Sequence, residues 1–163
     1  MRGIRRKEKT IADRAEIVRI LEETKYVTVA MTDTDGPYLV TLTHAYDEEK
    51  NAIYFHCAHE GRKVDILSRD SRVWGQALID KGYVEGSCDH LYETAQFKGR
   101  VVFLDDPAEK RHALQMMIQK NEGKPEAVIK DQVTDESVSH VSIGRIDIEL
   151  LSGKRSDKVT VSL

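Results

Sequence analysis

IYFHCAHEGRKVDIL, residues 53–67, contains the change of period on which the fold turns. Ile53, Tyr54 and Phe55 are good strand formers. The strand they begin runs into His56-Cys57-Ala58-His59 and turns at Gly61. Val64 and Leu67 then stand three apart, which predicts a short helix over residues 61–70. Two histidines, a cysteine and two adjacent cations, Arg62 and Lys63, therefore meet at one strand-to-helix junction. Metal binding, phosphate binding and plain solvation are three ways to account for them.

The metal reading is the weakest of the three. Neighbouring residues of a strand point to opposite faces, so His56 and Cys57 do not reach one ion while the strand persists. No Cys-x-x-Cys or His-x-x-x-His pair brings in Cys88 or His90, and no metal site is expected. Cys57 shares its phase with Ile53 and Phe55 and reads as a small core residue. Phosphate has a physical case. The first turn of a helix offers free N–H groups and partial positive charge, and Arg62 and Lys63 add two cations there. On spacing alone this signal is weak, because a Gly-Arg-Lys at a solvated helix end is common.

The pattern on either side of this junction is mostly strand. YVTVAMT (26–32) alternates Val27, Val29 and Met31 with Thr28, Ala30 and Thr32. Asp35-Gly36 signals a hairpin turn. YLVTLTHAYD (38–47) puts Tyr38, Val40, Leu42, His44 and Tyr46 on one face, with Thr41, Thr43 and Ala45 on the other. His44 reads as a satisfied core or interface histidine. A polar turn, DEEKN (47–51), leads into AIYFHCA (52–58). Further strands are expected over RVWGQALID (72–80) and TAQFKGRVVFL (94–104), with a Gly-bearing segment, residues 81–90, between them. A last strand is expected over VSHVSIGRIDIELL (138–151), where a phase flip around Gly144 predicts a bulge. One helix should start at Asp13, with Glu16 closing a capping box. Another should start at Asp106-Pro107-Ala108-Glu109, with Leu114, Met117 and Ile118 as a core-facing stripe. Six strands with few helices predict a mainly β fold with flanking helices, in which an antiparallel sheet closes into a barrel.

The 163 residues fit a single domain, with residues 1–10 as a flexible tail. The net charge of −3, from 25 basic and 28 acidic residues, argues against nucleic acid as the main partner. No apolar run reaches the ~18 residues of a membrane span, and the N-terminus lacks the apolar core of a signal peptide. Two cysteines suit a reducing compartment, which makes a cytoplasmic protein the expectation.

Several stretches in order carry a family resemblance: TDTDGPYLVTLTHAYD (32–47), IYFHCAHEGRKVDIL (53–67), SRVWGQ (71–76), YETAQFKGRV (92–101), DDPAEKRHAL (105–114) and RIDIELLSGKRS (145–156). Together the chain resembles the FMN-binding split barrels related to pyridoxamine 5′-phosphate oxidase, and most of all their nitroimidazole-resistance branch. The resemblance implies a six-stranded antiparallel split β-barrel that forms a homodimer, with FMN in clefts at the subunit interface. It implies that Val40, Thr41, Leu42 and Thr43 line the flavin ring. His56, Cys57 and Ala58 would lie beside the ring and ribityl chain, and Gly61, Arg62 and Lys63 would hold the phosphate. Thr94 would reach the flavin from the partner subunit. Leu39 stands where the oxidases carry an arginine, and their C-terminal substrate-binding Arg/His pattern is absent, which points away from vitamin B6 oxidation. The implied activity passes electrons from NAD(P)H through FMN to a small planar acceptor such as a nitroaromatic, with His56 orienting or protonating the substrate. Other members imply alternatives: a non-catalytic FMN-binding protein, a deazaflavin, or haem held by His44, His56, His59 or His90.

Overall fold

The computed structural model describes residues 5–157. In chain order the elements are β1 (Thr10–Ile11), α1 (Arg14–Glu23), β2 (Tyr26–Asp33), β3 (Gly36–Thr43), β4 (Ala45–Asp47), β5 (Ala52–Cys57) and α2 (Arg62–Arg69). There follow β6 (Arg72–Val84), β7 (Asp89–Phe103), α3 (Pro107–Asn121), α4 (Pro125–Gln132), α5 (Asp135–His140) and β8 (Ser142–Ser156). The strands make one antiparallel sheet in the order β3-β2-β6-β7-β8-β5-β4, with β1 added to β8. The curled sheet brings β3 against β5, but no ladder joins them. The barrel is therefore split along the β3–β5 seam.

The six expected strands are the six long ones. The count rises to eight because His44 interrupts the 38–47 run into β3 and β4, and because β1 adds two residues. Part of the expected tail is thus built in. Lys7–Lys9 form one 3-10 turn, Thr10 pairs with Lys154, and Lys9 donates to Ser156 Oγ at 2.8 Å. Residues 1–4 lie outside the described residues.

Three further expectations need correction. The strands expected over 72–80 and 94–104 do not stop at the Gly-bearing segment, since β6 and β7 extend into it as a long hairpin that turns between Val84 and Asp89. Residues 138–140 end helix α5 instead of opening the last strand. Thr134 and Ser137 cap that helix reciprocally, a signal hidden in a polar stretch. The bulge in β8 falls at Glu149, where Lys98 pairs with Leu150 and Gly99 with Ile148. The register passes Gly144 without a shift. The phase flip there has another cause: Ile143 and Ile146 point to opposite faces, and both are fully buried.

Those faces define two cores. Inside the barrel, Val27, Val29, Ile53, Phe55, Phe97 and Ile146 pack with Ile17, Val18, Ile20 and Leu21 of α1 and Ile66 of α2. Outside it, α3 covers Ala45, Tyr54, Leu104 and Ile143 with Ala113 and Met117. Each Val, Leu, Ile, Phe or Met among them is worth about 1.5–3 kcal/mol on burial. Two rings lie over cross-strand glycines. A methyl on Gly75 would sit 2.1 Å from Phe97 Cζ, and one on Gly144 2.2 Å from Phe55 Cζ.

Both expected helix starts are capped. Asp13 accepts from the Ala15 N–H, and Asp106 from those of Ala108 and Glu109. Neither capping box closes: Glu16 pairs with Arg155, and Glu109 pairs with Lys50 and Arg145. No helix among the described residues is long and apolar enough to cross a membrane.

Candidate functional site

The junction between β5 and α2 opens onto the seam. Gly61 caps α2 with φ +130° and ψ 165°, a conformation essentially reserved for glycine. Nothing lies within 4 Å of where its Cβ would stand, so the backbone there faces open space. The first helical bond runs from the Asp65 N–H to the Gly61 carbonyl, at 3.0 Å. The N–H groups of Arg62, Lys63 and Val64 precede it and have no partner within the helix. Gly61, Arg62, Lys63 and Val64 line a groove of about 200 Å³ together with Tyr38 and Val40 of β3 and Cys57, Ala58 and Glu60. An anion there would meet N–H donors, the helix dipole and two cations.

The two cations are held differently. Arg62 donates from Nε to Asp33 at 2.8 Å and from Nη2 to Asp35 at 2.9 Å, with its guanidinium 4.7 Å from the centre of the Tyr38 ring. The hydrogen bond from Arg62 keeps the Asp33 carboxyl below its usual range. Lys63 has no ion-pair partner among the described residues, and its Nζ stands 5.7 Å from the centre of the Phe55 ring.

The strand alternation read from the sequence divides the remaining residues. Cys57 is half-buried against the barrel core and lines the seam groove. His56 points the other way, is exposed, and lines a second groove of about 440 Å³ with Thr43, Leu114, Met117, Ile118 and Val141. Of the expected core stripe on α3, only Met117 is buried; Leu114 and Ile118 wall this groove. The His56 ring makes no hydrogen bond to any described residue. Thr41 and Thr43 are exposed on β3, whereas the Leu42 side chain is buried. β3 is the end strand of the sheet, so its seam-side edge carries unpaired main-chain N–H and C=O groups. Thr94 is not with this set. It pairs with Leu78 on β6, is 7% exposed, and donates its hydroxyl to the Lys154 carbonyl at 3.2 Å.

The other histidines have partners, though His44, expected to be a satisfied histidine, buries its Nδ1 without one among the described residues. His44 is fully buried, with Nε2 2.9 Å from the Leu21 carbonyl and 3.0 Å from Lys120 Nζ. Burial first, and the Lys120 cation second, push its pKa down to about 4. His59 contacts the His140 carbonyl, His90 pairs with Asp80, and His112 with Asp47. No group of three or more His, Cys, Asp or Glu among the described residues is placed to hold a metal ion.

Sequence reasoning missed the acidic pair on Arg62, because Asp33 and Asp35 read only as turn residues. It also missed an apolar patch on the outer face of the sheet. Leu39, Ala30 and Trp74 stand side by side across β3, β2 and β6, above Thr28, Gln76 and Gln96. Leu39 is 62% and Trp74 43% exposed. Leu78 and Tyr26 are also exposed beside it, so the outer face of the sheet presents several large apolar side chains to solvent.

A family model described as pyridoxamine 5′-phosphate oxidase matches residues 13–155. Among solved structures, a candidate 5-nitroimidazole antibiotic resistance protein from Bacteroides thetaiotaomicron is 27% identical, with a TM-score of 0.75 over 91% of this chain and 90% of that one. The flavocytochrome Anf3 from Azotobacter vinelandii is 16% identical, with a TM-score of 0.81 over 98% of this chain and 75% of its own. A FAD- and haem-binding protein from Mycobacterium smegmatis is 12% identical, with a TM-score of 0.78 over 95% and 77%. At those identities the last two share the fold. No curated protein matches the chain.

Proposed function

Since this chain belongs to the pyridoxamine 5′-phosphate oxidase family, we propose that its seam binds FMN and that it acts as an oxidoreductase on a small planar acceptor such as a nitroaromatic. The observation that carries this reading is the start of α2: a glycine-only backbone conformation, open space above it, and two cations beside free N–H groups. These suit a phosphomonoester. With Leu39 where the oxidases have arginine, the phosphate falls to Arg62 and Lys63.

When bound, FMN would supply two-electron transfer between a nicotinamide donor and the acceptor. The chain's own part is binding and orientation. The unpaired edge of β3 offers main-chain donors and acceptors from Val40 to Thr43 to the polar rim of the ring, so a buried Leu42 side chain is no obstacle. Cys57 and Ala58, which line the seam groove, would stand beside the ribityl chain. His56 faces the apolar groove under α3, which it shares with Thr43 at the end of the flavin-lining edge, and there it orients a planar acceptor. The Leu39–Trp74 patch is the surface for a homodimer that sets a second copy beside the flavin. The nitroimidazole-resistance protein among the similar structures supports the choice of acceptor.

Haem is the second reading, favoured by an exposed His56 without a partner beside an apolar groove; His44 is already engaged by Leu21 and Lys120. One absorption titration separates the two. FMN bands should shift on binding, bleach with a nicotinamide donor and a loaded protein, and fail to shift in the Arg62→Ala/Lys63→Ala variant. A Soret band from added haem that depends on His56, with no FMN uptake, would overturn the flavin reading. FMN uptake without bleaching would leave a flavin-binding protein that is not an enzyme.

A further inference from the structure

Resting on the flavin reading, we infer that Asp35 is a built-in competitor for the phosphate seat. It occupies one edge of Arg62 until a phosphomonoester displaces it, and so sets how strongly the protein prefers phosphorylated over unphosphorylated flavins.

The two carboxylates on Arg62 are not equivalent. The Asp33 side chain is 9% exposed and accepts from three donors besides its neighbours' packing: Arg62 at 2.8 Å, Arg69 at 2.7 Å and the Thr34 N–H at 2.8 Å. Asp35 is 73% exposed, and Arg62 Nη2, at 2.9 Å, is its one partner among the described residues. Asp33 and the Tyr38 ring therefore fix the guanidinium beside the groove, while Asp35 can leave. An exposed ion pair of this kind is weak. A phosphate dianion takes two parallel N–H bonds from a guanidinium and brings more charge than a carboxylate, so it wins the exchange but gives up part of its binding to do so. Lys63 has no such occupant, which places the competition on Arg62 alone.

The test compares wild type, Asp35→Asn, Arg62→Ala and the double variant, measuring FMN and riboflavin dissociation constants by fluorescence quenching. Inorganic phosphate serves as a competing probe against FMN. Asparagine suits the same two-residue hairpin loop, so the turn is kept. Asp35→Asn should tighten FMN about two- to fivefold, the range an exposed pair supports. It should strengthen phosphate competition to the same degree and leave riboflavin unchanged. The effect should vanish when Arg62 is already alanine. Equal tightening of both flavins, no tightening of FMN, or tightening that persists without Arg62 would each overturn the inference. Wild type that fails to prefer FMN over riboflavin would overturn the phosphate seat as well. A clear preference with no Asp35→Asn effect would overturn the inference alone.

Discussion

Glu109→Gln tests how α3 is fixed over the barrel, and with it the wall of the His56 groove. Oε1 of Glu109 accepts from Lys50 at 2.7 Å, Arg145 at 2.7 Å and the Tyr54 hydroxyl at 2.9 Å. Burial by itself would raise this carboxyl; the hydrogen bonds from Lys50, Arg145 and Tyr54 outweigh it and hold the group at about 2, against an ordinary 4.5. In a dry site that depression would be worth about 3 kcal/mol. Lys50 is 44% exposed, so solvent screening brings the figure to about 1.5–2 kcal/mol. Because the folded pKa lies below the unfolded one, this stability is fully present above pH 4.5 and is lost as pH falls towards 2. Urea unfolding at a series of pH values, for wild type and Glu109→Gln, reads it directly. The difference between the two should be about 1.5–2 kcal/mol at pH 7 and less than half of that at pH 3. A difference that stays constant from pH 7 to pH 3 would refute the argument, since it would then come from packing and not from the charge.

Gly144→Ala should cost about 1–3 kcal/mol in the same assay, because the new methyl collides with the Phe55 ring; Phe55→Leu should recover part of it, and an equal loss in both backgrounds would show that the ring is not the cause. Trp74→Glu should give a monomer by light scattering where wild type gives a dimer, and a wild type that is already monomeric removes the proposed interface. His56→Ala should lower nitroaromatic turnover by roughly 10–100-fold with FMN affinity kept; unchanged turnover sinks the role given to His56.

Much of the barrel was legible because its strands obey a strict period. Val27, Val29 and Met31 alternate inward, as do Ala95, Phe97 and Val101, and each is buried as its phase demands. The errors come where one segment serves two cores. Ile143 and Ile146 imitate a bulge because the face of β8 that leaves the barrel is covered by α3, a fact about tertiary packing that no local period contains. Helices α4 and α5 escaped for the opposite reason. They bury little, only Val138 between them, so they lack the apolar stripe by which a helix is read.

The candidate site divides along the same line. Gly61, Arg62 and Lys63 are consecutive, so a sequence can show them as a cradle. Asp33 and Asp35 reach Arg62 from 29 and 27 residues away, across the seam that the fold leaves unpaired. What decides affinity at such a junction is then not only the cations that the sequence displays but the anions that folding delivers to them. A Gly-Arg-Lys turn beside an apolar wall would meet a phosphate with no anion to displace. The same turn facing an acidic hairpin must exchange one anion for another, and that exchange makes its selectivity adjustable by a single exposed carboxylate.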